Sequence, residues 1–374
     1  MRICLDISAA LNQGAGIGRY TRELALALNQ LPNRPELLLF HNRQSAARLP
    51  PSLEALPRLQ IPLNNRAWRL FLWVGLPLPM KWRTPLERYQ LFHGTDSLAP
   101  RTTVPTVLTI HDLSPLLFPQ HHTRFHRLYS RYALPGIARR AQVIITDSAA
   151  TRDDAISHLH IAPERTRVIH LGVDHARFRP RDTAQAQASV QQALGLTPPY
   201  LLAIGTLEPR KNLPALLRAY AQLAPDSPTL VLAGGQGWGD TQLTTIVQQL
   251  GIQDRVRFTG FVPDALLPDL YTGAYFFIYP SLYEGFGLPV LEALSCGAPV
   301  ITSKISSLPE VAGDVALLAD PHDIDDLAQQ MRILLGNAEL RMHLHDAGPI
   351  QAAQFTWQRT AQQTLEVYSD VLHS

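Results

Sequence analysis

The run Tyr283-Glu284-Gly285-Phe286-Gly287-Leu288-Pro289-Val290-Leu291-Glu292 decides how this chain is read. Two carboxylates, Glu284 and Glu292, bracket two glycines and a proline. Proline fits the first turn of a helix, where its missing N–H needs no partner. Gly297 is a natural helix stop. The run therefore predicts a strand over 275–280, a glycine-rich loop, and a helix from Leu288 to Cys296. Gly285 and Gly287 allow close backbone approach and unusual dihedrals. The free amides at the start of such a helix favour an anion. A carboxylate accepts hydrogen bonds well from hydroxyl groups. Glu284 in the loop and Glu292 one turn into the helix thus point to a ligand with both phosphate and sugar, a nucleotide sugar. An ordinary strand–loop–helix with solvated glutamates is the plain alternative.

Outward from this run, the second half of the chain keeps alternating strand and helix. Tyr200–Gly205 reads as a buried strand, followed by Thr206-Leu207-Glu208-Pro209-Arg210-Lys211-Asn212 and a helix over 214–223. Cations just before a helix suit a phosphate. Strands are expected at 229–233, 255–261 and 299–302. A helix opened by acids is expected over 323–335, as the helix dipole favours. Thr356 is the expected N-cap of a final helix.

The first half opens with a strand over 2–8, the loop Gly14-Ala15-Gly16-Ile17-Gly18-Arg19, and a helix over 18–31 with Leu24, Leu28 and Leu31 in helical spacing. A dinucleotide fingerprint would need glycine where Arg19 stands, directly after the strand, so a nicotinamide dehydrogenase is the poorer reading. Further strands are expected at 36–41, 90–94, 107–112, 142–146 and 167–171. Ligands of open α/β sheets bind beyond the carboxyl ends of strands, which is where Gly94, His111 and Asp112 stand. Ser148 can cap the helix after the strand at 142–146. Residues 42–90 show no clean period, but 66–83 interleave Arg66, Arg69, Lys81 and Arg83 with Trp68, Phe71, Trp73 and Trp82. That mixture suits either an interfacial surface or a core with a basic rim. Residues 121–140 read as an outward-facing basic helix with Leu128, Tyr132 and Leu134 on its inner side, broken in its later part by Pro135 and Gly136.

These stretches, in this order over nearly the whole chain, resemble the retaining glycosyltransferases of family 4. Their Glu–seven residues–Glu motif corresponds to Glu284 and Glu292. The resemblance implies an α/β chain of the GT-B fold: two Rossmann-like domains facing across a cleft, 1–178 for the acceptor and 179–355 for the donor. A C-terminal helix, 356–374, returns to the first domain. It also implies the site. His111, Glu284, Lys211 and Arg210 fall at catalytic positions. Glu292, Gly285, Phe286, Gly287, Leu288, Thr206, Val262 and Gly16 fall at donor-binding ones, and Gly14, Gly94 and Asp112 on the acceptor side. Many members carry arginine where Thr206 stands, so Arg210 is the candidate to supply that charge. The expected reaction moves a hexose from a nucleoside diphosphate sugar to a hydroxyl of a glycan or lipid-linked glycan. Mannose from GDP-mannose is the first choice and a UDP-sugar the second. A GT-B sugar-nucleotide epimerase or hydrolase and a non-catalytic sugar-nucleotide-binding subunit are the alternatives. No Asp-x-Asp stands near the phosphate site, so no metal is expected; the cations and a helix N-terminus take its place.

The chain has 374 residues, 46% of them apolar and 17% charged. That length suits two domains. Cys4 and Cys296 are its only cysteines, so a disulfide framework is not expected and a reducing, cytoplasmic compartment is. The N-terminus does not read as a signal peptide. The apolar run 70–80 is too short and proline-broken to span a bilayer. Residues 1–176 hold 21 Lys+Arg and 12 Asp+Glu, a balance of +9; the rest hold 12 and 19, a balance of −7, summing to the overall +2. Such asymmetry marks a basic face for an anionic partner. Peripheral contact with the inner face of an anionic membrane is expected, and nucleic acid is not.

Overall fold

A computed structural model describes residues 1–12, 16–42, 49–235 and 242–373. The chain divides into two compact units, Met1–Gly172 with Thr356–Ser374, and Val173–Phe355.

The first unit is built on a parallel sheet. Its strands are β1 (Arg2–Asp6), β2 (Glu36–Asn42), β3 (Arg58–Ile61), β4 (Leu91–Gly94), β5 (Thr106–Ile110), β6 (Val143–Thr146) and β7 (Thr166–Val168), in the order β3-β2-β1-β4-β5-β6-β7. The order reverses direction between β1 and β4, a switch point at which sheets of this type bind ligands. The inner strands are buried along nearly their whole length, so they read as apolar runs without alternation. β3 was hidden in the unreadable stretch because it is a half-exposed edge strand with alternating Arg58, Leu59, Gln60 and Ile61.

Residues 121–140 do not form one helix. They break into a 3-10 turn ending at His121, a helix Arg124–Leu128, a π turn Tyr129–Ala133 and a helix Leu134–Arg140. The π turn shifts the helical register. Tyr129, Ala133 and Ile137 join Leu134 inside, whereas Leu128 is 45% and Tyr132 60% exposed, against the expected inner row.

The final helix, Trp357–His373, belongs to the first unit. Thr356 accepts a hydrogen bond from the Arg359 N–H at 3.1 Å, the cap expected of it. Gly172 lets the helix start approach closely: a Cβ there would lie 2.2 Å from the Trp357 nitrogen. A buried chain of polar groups anchors the helix. Tyr368 hydroxyl meets His93 Nδ1 at 2.6 Å, His93 Nε2 meets Thr109 Oγ1 at 2.8 Å, and Thr109 Oγ1 meets Tyr20 hydroxyl at 3.0 Å. Burial lowers the pKa of His93 to about 3, so it is neutral in this network.

The second unit carries β8 (Tyr200–Ile204), β9 (Thr229–Ala233), β10 (Val256–Gly260), β11 (Phe276–Tyr279), β12 (Val300–Ser303) and β13 (Leu317–Ala319), all parallel, in the order β10-β9-β8-β11-β12-β13. Its switch point lies between β8 and β11. The unit starts at Val173 rather than after residue 178, because Val173–Phe178 packs within it. The Val173 N–H donates to Phe355 carbonyl at 3.2 Å, and Phe178 meets Tyr271 edge-on at 6.3 Å. The two cysteines are buried and free, one in each unit.

Candidate active site

The loops after β8 and β11 meet at the switch point of the second unit. Leu282 N–H donates to Arg210 carbonyl at 2.9 Å, and Ser281 Oγ lies 3.0 Å from the same oxygen. These contacts bring Arg210, Lys211 and Glu284 together. Glu284 is 7% exposed. Its Oε2 lies 2.6 Å from Arg210 Nη1, and its Oε1 lies 2.7 Å from Lys211 Nζ. Ser281 Oγ and Tyr279 hydroxyl donate to Oε1 at 2.6 and 3.0 Å. Burial alone would raise the pKa of this carboxyl; Arg210 and Lys211 outweigh it and hold it at about 2. Burial and the neighbouring Arg210 push Lys211 down. Arg210 also donates from Nη2 to Glu208 Oε1 at 2.6 Å and from Nη1 to Tyr283 carbonyl at 2.6 Å. The cluster is therefore charge-balanced: Arg210 and Lys211 against Glu208 and Glu284. Fixed donors of this kind can be redistributed onto an anionic ligand without reorganising the backbone.

The loop 281–287 is stitched from its far side. Ser307 Oγ is placed to donate to the carbonyls of Glu284 and Phe286, at 2.9 and 2.8 Å. Glu284 N–H donates to Ser306 Oγ at 3.1 Å. Gly287 has φ +116°, and a Cβ on it would sit 2.8 Å from Leu308 Cδ2, so only glycine fits there. The helix Leu288–Ser295 starts immediately after it, close to the expected bounds. Phe286 is buried edge-on against Phe355 at 5.8 Å, and Gly285 lies half-buried in the loop. Glu292 is 4% exposed, and Tyr271 hydroxyl donates to its Oε2 at 3.1 Å.

Elsewhere in this unit, Thr206 is exposed. Val262 is buried in the loop after β10. Gly205 and Gly234, at the ends of β8 and β9, abut: a Cβ on Gly234 would lie 2.0 Å from Gly205 carbonyl oxygen.

The first unit has its own polar cluster where β4, β5 and β6 end. His111 is 7% exposed; its Nδ1 meets Asp147 Oδ2 at 2.6 Å and its Nε2 meets Thr95 carbonyl at 2.8 Å. A carbonyl only accepts, so Nε2 carries a proton. The Nδ1–carboxylate contact then needs one more, shared by the pair. Burial lowers the pKa of His111, but Asp147 beside it reverses the shift and raises it to about 9. The pair is best written as imidazolium and carboxylate. Tyr20 meets the ring edge-on at 4.6 Å. Asp112 is engaged locally: its Oδ1 accepts from the N–H and Oγ of Ser114 at 2.8 and 2.7 Å. Gly94 ends β4, where a Cβ would lie 2.1 Å from Leu98 carbonyl oxygen. Gly16 starts the helix Ile17–Gln30 at φ +56°. Gly14 lies outside the described residues.

Arg210, Lys211 and Glu284 are thus brought together, whereas His111, Asp112 and Gly94 gather in the first unit. Asp147, Tyr279, Ser281 and Glu208 were not singled out from sequence. The available signal was position: each stands at or just past a strand end beside a residue that was chosen.

Residues 14–177 match the model of glycosyltransferase family 4, and residues 185–351 match that of glycosyl transferases group 1. O-antigen chain mannosyltransferase B of Escherichia coli is 34% identical over 369 residues, covering 94% of this chain and 95% of that one. Serotype-specific mannosyltransferase WbdA of Escherichia coli is 31% identical over 74% of this chain, which spans only 35% of that longer protein. Among solved structures, sucrose-phosphate synthase from Thermosynechococcus elongatus superposes with a TM-score of 0.78 at 21% identity, over 100% of this chain and 99% of that one. Anabaena HepE in complex with UDP-glucose gives 0.74 at 22%, over 99% and 100%. The chain is a glycosyltransferase of the GT-B fold. It belongs to the group 1 glycosyl transferases of family 4.

Proposed function

We propose that this glycosyltransferase takes a nucleoside diphosphate hexose, GDP-mannose first, and transfers the hexose with retention to a hydroxyl of a glycan or lipid-linked glycan. The observation that carries the reading is the fixed cluster at the end of β11: a buried carboxylate, Glu284, gripped by Arg210 and Lys211. The mannose assignment is supported by the 34% identical mannosyltransferase. Anabaena HepE, seen with UDP-glucose, keeps a UDP-sugar as the second choice.

In this reading the leaving diphosphate draws Arg210 and Lys211 away from their carboxylates and is stabilised by them as its charge develops. Arg210 supplies the charge that Thr206 lacks. Glu284, partly released, accepts from hydroxyls of the hexose. Glu292 accepts from the ribose, and Val262 lines the base. Gly285, Phe286, Gly287 and Leu288 form the anion-facing turn at the helix start, with Gly16 on the phosphate side. His111 orients the hexose from the first unit, as a cation held by Asp147 rather than as a free base. Gly14, Gly94 and Asp112 border the acceptor. No helix of the described residues is long and apolar enough to cross a membrane; a lipid-linked acceptor then calls for peripheral docking on an anionic surface.

The test is turnover with GDP-mannose, UDP-glucose and UDP-galactose over a panel of acceptor glycans. Release of GDP with an α-linked product, read by NMR, is expected, and it should survive excess EDTA. Nucleotide release without any acceptor would favour an epimerase or hydrolase instead. Loss of turnover in EDTA with recovery in magnesium would refute the metal-free part.

A further inference from the structure

The helix Asn65–Val74 carries its apolar residues on both faces. Trp68 and Leu72 are buried in the core of the first unit. Yet Leu70 is 53% and Val74 63% exposed, and with Arg66 they share one face at a spacing of four. The chain then turns at Gly75, whose φ of +72° ends the helix in a left-handed cap. Leu76, 50% exposed, and Met80, 77% exposed, follow in the turn into the helix Met80–Leu86. Four large apolar side chains thus stand in solvent within eleven residues. Alongside lies the segment with the π turn: Trp73 meets Phe125 at 6.3 Å, and the Arg69 guanidinium sits 5.3 Å over the Tyr129 ring. That neighbour adds the exposed Leu128 and Tyr132.

The two segments that form this region carry charge of one sign. Residues 64–83 contain four bases and no acid, and residues 113–146 contain five arginines and no acid. Of these, Arg69 is paired with Asp96 and Arg83 with Glu87. Arg101 reaches under the corner, 3.1 Å from where a Gly75 Cβ would stand. Exposed apolar groups ringed by cations are the signature of a surface that enters the headgroup region of an anionic bilayer. A second copy of this chain would bring the same cations face to face, which argues against self-association there.

We propose that the corner Leu70–Met80 is a membrane-inserting wedge, docked with its basic rim on an anionic bilayer. This deepens the peripheral docking proposed above and differs from purely electrostatic adhesion in requiring the four apolar side chains. Trp82 provides an intrinsic probe. It is half-buried beside Met80, with Lys81 Nζ 4.7 Å over its ring.

The full chain is mixed with vesicles of phosphatidylcholine alone or with phosphatidylglycerol, with and without brominated acyl chains. Binding is expected to need phosphatidylglycerol, and brominated chains should quench a part of the tryptophan emission that W82F removes. Replacing Leu70, Val74, Leu76 and Met80 together by serine should weaken binding at least about 100-fold, since each buried side chain is worth roughly tenfold or more. Replacing Arg66 and Lys81 by glutamine should weaken it about fivefold per charge. Unchanged vesicle binding in the serine variant would overturn insertion and leave adhesion by charge alone. Absence of binding to any vesicle would overturn docking by this corner. A dimer that the serine variant converts to monomer would assign the corner to self-association instead. Transfer to a soluble acceptor fragment, measured on the same samples, tests the glycosyltransferase reading independently, and the serine variant should keep it.

Discussion

The two polar clusters at the strand ends differ in how they hold their charge. In the second unit one carboxylate, Glu284, is shared between two cations on a separate loop. In the first unit one cation, His111, is paired with one carboxylate and one carbonyl, both its nitrogens committed. Under the proposed function the first arrangement can exchange partners: an incoming diphosphate takes over Arg210 and Lys211, while Glu284 keeps Ser281 Oγ and Tyr279 hydroxyl as donors. The second cannot, because drawing either partner from His111 would strand a buried group. On the proposed function, the electrostatic work of transfer falls to the second unit and a fixed, orienting role to the first.

The strongest test of this division removes one exchangeable cation. Lys211→Ala should lower turnover by about 10²–10³-fold, the range for losing one fixed donor to a developing anion, with the fold retained by circular dichroism. Asp147→Asn should act in the opposite way, costing more in stability than in the chemical step. Equal losses of turnover in the two variants with unchanged melting temperatures would dissolve the distinction.

A smaller effect separates the clusters by pH. Glu284 is held at about 2, below its ordinary value, so its contribution to stability is present above pH 4.5 and lost as pH falls towards 2. His111 is raised to about 9. Its contribution is full below pH 6.5 and fades as pH rises through 9. One proton sets a ceiling of about 1.4 kcal/mol per pH unit on that alkaline slope. Denaturant titrations between pH 6.5 and 9.5 should show the decline in the natural protein. His111→Asn should flatten it, and a slope unchanged by that substitution would remove the imidazolium from the account.

How far these clusters were legible follows from chain distance. Glu284, Gly287 and Glu292 lie within nine residues, so one local run displays the loop, the helix start and both carboxylates. The ion pairs of Arg210 and Lys211 with Glu284 span more than 70 residues, yet each stands beside a recognisable strand end, and the parallel order brings those ends together. The His111–Asp147 pair follows the same geometry, but nothing in Asp147-Ser148 distinguishes a buried counter-ion from a helix cap. Residues 121–140 misled for a different reason. A π turn adds no sequence mark of its own, yet it rotates Leu128 and Tyr132 outward and Tyr129 and Ala133 inward. The periodicity there is real but changes phase midway.

The anchoring network of the final helix offers a test of the first unit's rigidity. Tyr368→Phe removes the hydroxyl from His93 Nδ1 and leaves a buried ring nitrogen unpartnered. The expected loss is about 1–3 kcal/mol of stability, read from a urea transition. A nearly neutral result would mean that His93 finds another partner.

The smallest expected effect sharpens the role of Glu292. Tyr271 donates to its Oε2 at 3.1 Å from the helix Leu267–Thr272 and packs edge-on against Phe277 at 5.3 Å. Tyr271→Phe keeps the ring and removes only the hydroxyl. One hydrogen bond to a carboxylate is worth about 1.5–3 kcal/mol, but the ring packing continues to hold the helix in place. The carboxylate itself stays, so nucleotide affinity should fall by only a few-fold. Glu292→Ala removes the acceptor and should weaken GDP or UDP far more, while Glu284→Ala should spare the nucleotide and impair sugar transfer. Calorimetry with the nucleotide alone separates these outcomes. If Glu292→Ala binds it as tightly as the natural protein does, Glu292 is not the ribose acceptor. Its burial beside Tyr271 is then part of the helix packing of the second unit, and the two carboxylates that bracket the glycine run do not share one ligand.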